Sequence, residues 1–121
     1  MKYAMLVLAL SAPLAFGQAE CDRHCAQVET SAKFKEADAE LNRVYKRLLS
    51  SLPQAQRSRL RVEQRRWVHD VRDASCTKRI ETEWGRSCPT TWCLVAEEQC
   101  RASETVERTK QLEEIMVRGP R

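Results

Sequence analysis

Residues that break or bend a chain are scarce here, with three glycines and four prolines among 121 residues. No segment repeats, none is of low complexity, and no long linker divides the chain, so a single domain is expected. Alternation of polar and apolar residues with a period of two is missing, which excludes half-buried strands. Also missing are G-x-S-x-G, the P-loop, H-E-x-x-H and any glycine-rich phosphate cradle, so the usual sequence routes to an enzyme are empty. His24 and His69 match no metal or triad spacing and are expected at the surface. No cofactor is implied, and the protein is not expected to be an enzyme.

One apolar run exists, from Ala4 to Phe16, and it is too short to span a bilayer. Lys2 precedes it, and small residues at Gly17 and Ala19 follow before the chain turns polar at Glu20. That order predicts a signal peptide over residues 1–19, cleaved after Ala19 or, as the second choice, after Gly17. Glu20 stands where a lipoprotein signal needs a small residue, so no lipid on Cys21 is expected and the mature protein, residues 20–121, should be soluble. Cleavage removes Lys2 and no acid. The remaining 20 basic and 17 acidic residues give a net charge of +3, a mild balance that permits but does not demand an anionic partner.

All six cysteines, Cys21, Cys25, Cys76, Cys88, Cys93 and Cys100, follow the leader. An even number in an exported chain predicts a disulfide framework, which would help a core of only about one hundred residues. The alternative is a metal site drawing on Cys21, His24, Cys25, Cys88 and Cys93. Disulfides take precedence, because paired C-x-x-C knuckles are absent and an oxidising compartment competes for the thiolates.

What the chain does have is helical periodicity. From about Thr30 to Leu52, Phe34, Ala37, Leu41, Val44, Tyr45, Leu48 and Leu52 recur at spacings of three and four. Ser51, Pro53 and Gln54 then fit a helix start, with Ser51 as the cap and Pro53 in the first turn, where its missing donor is not needed. The second helix carries Leu60, Gln64, Trp67, Val71 and Ala74 on one face and continues past Cys76 toward Trp84, where Gly85 breaks it. A loop from Gly85 to Thr91 leads to a third helix from about Trp92 to Met116, with Val95, Ala102, Val106, Leu112 and Met116 facing a core. The fold class predicted is all-α: a small disulfide-bonded bundle of about three helices, a helical hairpin plus a packed third helix.

Several polar residues sit where helical geometry makes demands on them. Asp38 falls inside the apolar arc of the first helix, where an unpaired carboxylate costs several kcal/mol, so a buried ion pair with Arg72 or Arg108 is expected rather than a catalytic acid. Asn42, one turn later, lies at the edge of that arc. Arg57, Arg61, Arg65 and Arg72 fall within about 80° of one another on the second helix and form a basic stripe. No aromatic residues interleave with it, which argues against nucleic acid as a partner. Trp67 is expected in the core. Trp84 and Trp92 flank the loop; the core is the first expectation for both, and one of them is a candidate interface anchor.

The run Ala37-Asp38-Ala39-Glu40-Leu41-Asn42-Arg43-Val44-Tyr45, then Gln64 to Trp67, Arg72-Asp73 with Cys76, and Cys100 with Thr105, Arg108 and Leu112, resembles the LprI-type lysozyme-inhibitor N-terminal domain family over nearly all of the mature chain. The resemblance implies a helical exported domain of the bacterial envelope, periplasmic or secreted, in which Cys76 pairs with Cys100. For the other four cysteines, pairing of the early two with the late two is expected, with Cys88 to Cys93 as the alternative. It further implies a binding protein that acts on lysozyme by protein–protein contact. The alternative is an envelope interaction or stress module that meets an anionic glycan, lipid or protein through its basic stripe.

Overall fold

The computed structural model describes residues 21–86, 88 and 90–119. The leader expected over residues 1–19 lies outside the described residues. Helix α1 spans Arg23–Ser51 and begins well before Thr30, because Asp22 caps it by accepting the Cys25 N–H at 2.9 Å. Helix α2 (Gln54–Arg66), a π-helical segment (Trp67–Asp73) and helix α3 (Ala74–Trp84) follow one another as a single rod. Helix α4 spans Thr91–Arg118. The fold is therefore all-helical: three long helical rods, α1, the composite middle rod and α4, with three disulfides, of which Cys76–Cys100 ties the middle rod to α4. No described helix is long and apolar enough to cross a membrane.

The chain runs up, down and up. Ser31 donates to Glu98 near the starts of α1 and α4, and Leu48 and Ile115 line one groove near their ends, so these two helices are parallel. The middle rod runs against them, joined to α4 by Glu63 with Arg108 at one level and Thr77 with Glu97 at another. The most extensive helix contact is between α1 and α4. Buried threonines on this pair, Thr30, Thr105 and Thr109, keep side chains short where the helices meet. Thr105 and Thr109 donate their hydroxyls to Arg101 O and Thr105 O, at 2.7 and 2.9 Å, so burial leaves neither hydroxyl unsatisfied. Val106, expected in the core, is instead 45 % exposed beside them.

Leu41, Val44, Leu48 and Leu52 of α1 form the main core with Leu60, Trp67 and Leu112. Each such side chain contributes roughly 2 kcal/mol by leaving water. The connection from α1 to α2 is only Leu52 and Pro53, both extended, with ψ of 147° and 155°. Ser51 does not cap α2: it is the last residue of α1, and its hydroxyl donates to Leu48 O at 2.8 Å. At the far end Gly85 stops α3 with φ 91°, a left-handed value that favours glycine.

The middle rod departs most from its sequence pattern. An α-helical period carries the buried face from Trp67 to Val71 and Ala74, yet both are exposed. The segment Trp67–Asp73 widens to i→i−5 bonding, as in Ala74 N–H to His69 O, and this inserts one residue into the register. The inward face consequently runs through Leu60, Gln64, Trp67, Arg72, Cys76 and Ile80, with steps of four, three, five, four and four. This shift buries Cys76 completely, and it pairs with Cys100 of α4 across 5.7 Å between Cα atoms.

The remaining disulfides are both local. Cys21 pairs with Cys25 in the first turn of α1, and Cys88 with Cys93 where the loop enters α4. Pairing of the early two cysteines with the late two is thereby overturned. Cys21 lies just before the extended capping residue Asp22, and the turn of the chain into α1 brings it to 5.4 Å from Cys25 between Cα atoms, a separation that suits a disulfide.

Candidate functional site

The polar residues of the middle rod and its neighbours form one network around Trp67, which is 7 % exposed. Arg72 and Arg108 place their guanidinium carbons over its ring, at 5.6 and 5.7 Å from the centroid, and Arg72 also lies 5.3 Å from the ring of Phe34. Both distances to Trp67 fall within cation–π range. Arg72 reaches this place because the π-helical segment turns it inward.

Each guanidinium is held from several sides. Arg72 donates through Nε to Asp73 at 2.8 Å and through Nη1 to Asp38 at 3.1 Å, while Asn42 donates to the other oxygen of Asp38 at 3.3 Å. Arg108 donates through Nε to Gln64 at 3.0 Å, through Nη2 to Glu63 at 2.8 Å and through Nη1 to Gln111 at 3.3 Å. Arg101 extends the network: Nη2 donates to Glu97 at 2.8 Å, which also accepts from Thr77, and Nε stands 3.6 Å from Asp73. That last distance is an ion pair too long for a hydrogen bond, so the buried Nε has no acceptor.

The expected pair of Asp38 and Arg72 is present, but the burial was assigned to the wrong partner. Asp38 is 44 % exposed by side chain and Arg72 only 11 %. Arg108 turns instead to Gln64, itself 8 % exposed, and to the carboxylate of Glu63, so the most buried of the described cations has a neutral amide as its buried partner and an exposed acid as its ionic one. Leu41 and Leu112 pack beneath this network in the core, with Tyr45 partly buried against them. These polar atoms are spent on internal contacts between helices. The arrangement fixes the relative rotation of three rods and presents its outer faces rigidly.

Those outer faces carry the remaining expected residues. Arg61 and Arg65 project to solvent, whereas Arg57 is half-buried and donates to Leu52 O at 2.7 Å, capping the end of α1. With Arg72 turned inward, the stripe of four keeps Arg61 and Arg65. Trp84 and Trp92, first expected in the core, are 39 % and 43 % exposed. His24 and His69 are exposed. Glu29 lies close to Cys21 and Cys25, but their sulfurs are joined to each other and the metal alternative has no thiolates to use.

Sequence reasoning missed a groove of about 550 Å³ between α2 and the end of α4, floored by Leu48, Leu52, Leu60 and Ile115. It also missed Glu63, Arg101 and Glu97 as members of the network. Arg101 and Glu97 are one helical turn apart, a spacing that would have flagged the pair.

The residues that join the three rods, Asp38, Gln64, Trp67, Arg72, Cys76, Cys100 and Arg108, all lie inside the span matched by a family model described as Lysozyme inhibitor LprI, which covers residues 16–112. The chain belongs to the LprI lysozyme inhibitor family. Members of the LprI family are inhibitors, binding proteins rather than enzymes. Searches among curated proteins and among solved structures gave no match. The LprI match takes in α1, the middle rod and α4 as far as Leu112.

Proposed function

We propose that this LprI-family protein acts outside the cytoplasm, in the periplasm or after secretion, where it binds lysozyme and blocks its cleft by protein–protein contact. The observation that carries this reading is the LprI match over residues 16–112, which takes in every cross-brace between the three rods. An inhibitor that fills a cleft needs a surface ordered before it binds, because ordering on contact subtracts from affinity. The two arginines over Trp67 and the Cys76–Cys100 bond supply that order. Three disulfides favour an oxidising compartment, in keeping with a leader over residues 1–19. The test is turnover of a cell-wall substrate by lysozymes of more than one type in the presence of the purified oxidised protein. Inhibition of at least one type is expected; no inhibition of any at micromolar excess would remove the reading.

A further inference from the structure

The net charge of the molecule resides in one short helix. Helix α2 carries five arginines, Arg57, Arg59, Arg61, Arg65 and Arg66, against one acid, Glu63. The whole chain has 21 basic and 17 acidic residues, so everything outside α2 holds sixteen of each, or fifteen basic and sixteen acidic once Lys2 leaves with the expected leader, and is close to neutral. Glu63, its side chain 59 % exposed, is bonded to Arg108 of α4 rather than to any arginine of α2.

The core lies on the side of Leu60, Gln64 and Trp67. The opposite arc presents Arg61, Arg65, Arg66 and Arg59 around Ser58 and Val62, the latter 60 % exposed. Among the described residues Arg59, Arg61 and Arg65 have no ion-pair partner, and Arg66 has only the exposed Asp70 at 3.5 Å. Every cation in the helix is arginine, the side chain whose flat fork grips a carboxylate with two parallel hydrogen bonds. A membrane-seeking helix would carry large apolar groups beside its charges, and this face has only Val62.

Arg61 and Arg65 stand one turn apart on a straight α-helical segment, roughly 6 Å between Cβ atoms. Enzymes that cleave glycosidic bonds place two carboxyl groups across the scissile bond at about 5 to 10 Å. We infer that the arginine face of α2 is the surface that enters the lysozyme cleft, with Arg61 and Arg65 engaging its two catalytic carboxylates. This inference rests on the reading of the protein as a lysozyme inhibitor. It assigns binding to a convex, pre-formed helix face whose charges are unspent, and leaves the Trp67 network the task of holding that face in place.

The experiment measures inhibition constants for the oxidised wild-type protein, for Arg61→Glu/Arg65→Glu, and for Lys35→Glu/Lys46→Glu, which makes the same charge change on the exposed side of α1. Circular dichroism and the melting temperature establish that each variant is folded, and Arg61→Gln/Arg65→Gln repeats the test without charge reversal. The α2 reversal should weaken inhibition by about 100-fold or more, with the α1 pair near wild type. Equal weakening by both reversals would mean that net charge alone acts, and overturns the inference. Inhibition by wild type that survives both α2 variants also overturns it, while leaving the inhibitor reading intact. Retained inhibition together with Arg61- and Arg65-dependent binding to phosphatidylglycerol vesicles would reassign the face to a lipid surface. Absence of inhibition by wild type would remove the reading and the inference together.

Discussion

Replacing Arg108 by methionine keeps most of the side-chain volume and deletes the fork that holds α4 to the middle rod. Gln64 would lose its partner while 8 % exposed, a loss of about 2 kcal/mol for a charged donor to a buried acceptor. The cation over Trp67 adds about 1 kcal/mol. Glu63 contributes at most about 0.5 kcal/mol, because its side chain is 59 % exposed and solvent screens the pair. The sum is about 3 kcal/mol. At roughly 5 °C per kcal/mol for a domain of about one hundred residues, Tm should fall by about 15 °C. Thermal melts followed by circular dichroism, with the disulfides intact, measure this directly. Repeating the substitution in Gln64→Leu should recover about 1 to 2 kcal/mol, since removing both partners leaves no stranded amide. A Tm within about 2 °C of wild type for Arg108→Met, or strict additivity of the two changes, would refute the reasoning.

Asp38→Ala should lower stability by only about 1 kcal/mol, because the carboxylate is 44 % exposed and Arg72 keeps Asp73; a denaturant midpoint shift several times larger would restore the buried-pair view. Loss of the Cys76–Cys100 bond by serine replacement should cost about 1.5 kcal/mol more than loss of Cys21–Cys25, since it closes 24 residues rather than four, and equal midpoints in urea would contradict this. Leu112→Ala, at a side chain with no exposure, should cost about 3 kcal/mol or more, read from the same urea curves. Deleting Val71 removes the residue that the π-helical segment inserts, so the rod should continue as α-helix with Cys76 still facing Cys100; failure of that disulfide to form, seen by mass spectrometry, would count against the register argument.

Much of the architecture was legible because the helices obey a simple period. Leu41, Val44 and Leu48 face inward as their spacing demands. The middle rod was legible only to Trp67, since an extra residue in the π-helical segment moves the buried face from Val71 and Ala74 to Arg72, Cys76 and Ile80. The spacing of those last three, four residues each, held the clue. Thr105 and Thr109 were hidden for another reason: hydropathy ranks threonine as polar, while its hydroxyl bonds to its own helix and frees it for burial. That Asp38 needs an arginine could be read from helical angles, but not whether Arg72 or Arg108 supplies it, nor which partner is covered, because both depend on how the other rods lie. Similarly, the stripe of four arginines gave no sign that Arg57 would cap Leu52 and Arg72 would lie against Trp67.

The most direct measurement is a calorimetric titration of the oxidised protein into lysozyme, performed with the cleft empty and again with it filled by a chito-oligosaccharide. One-to-one binding that disappears when the sugar occupies the cleft is the predicted result. No heat of binding at micromolar concentrations, or equal binding with the cleft filled, would contradict the proposal that this LprI-family protein acts by blocking it.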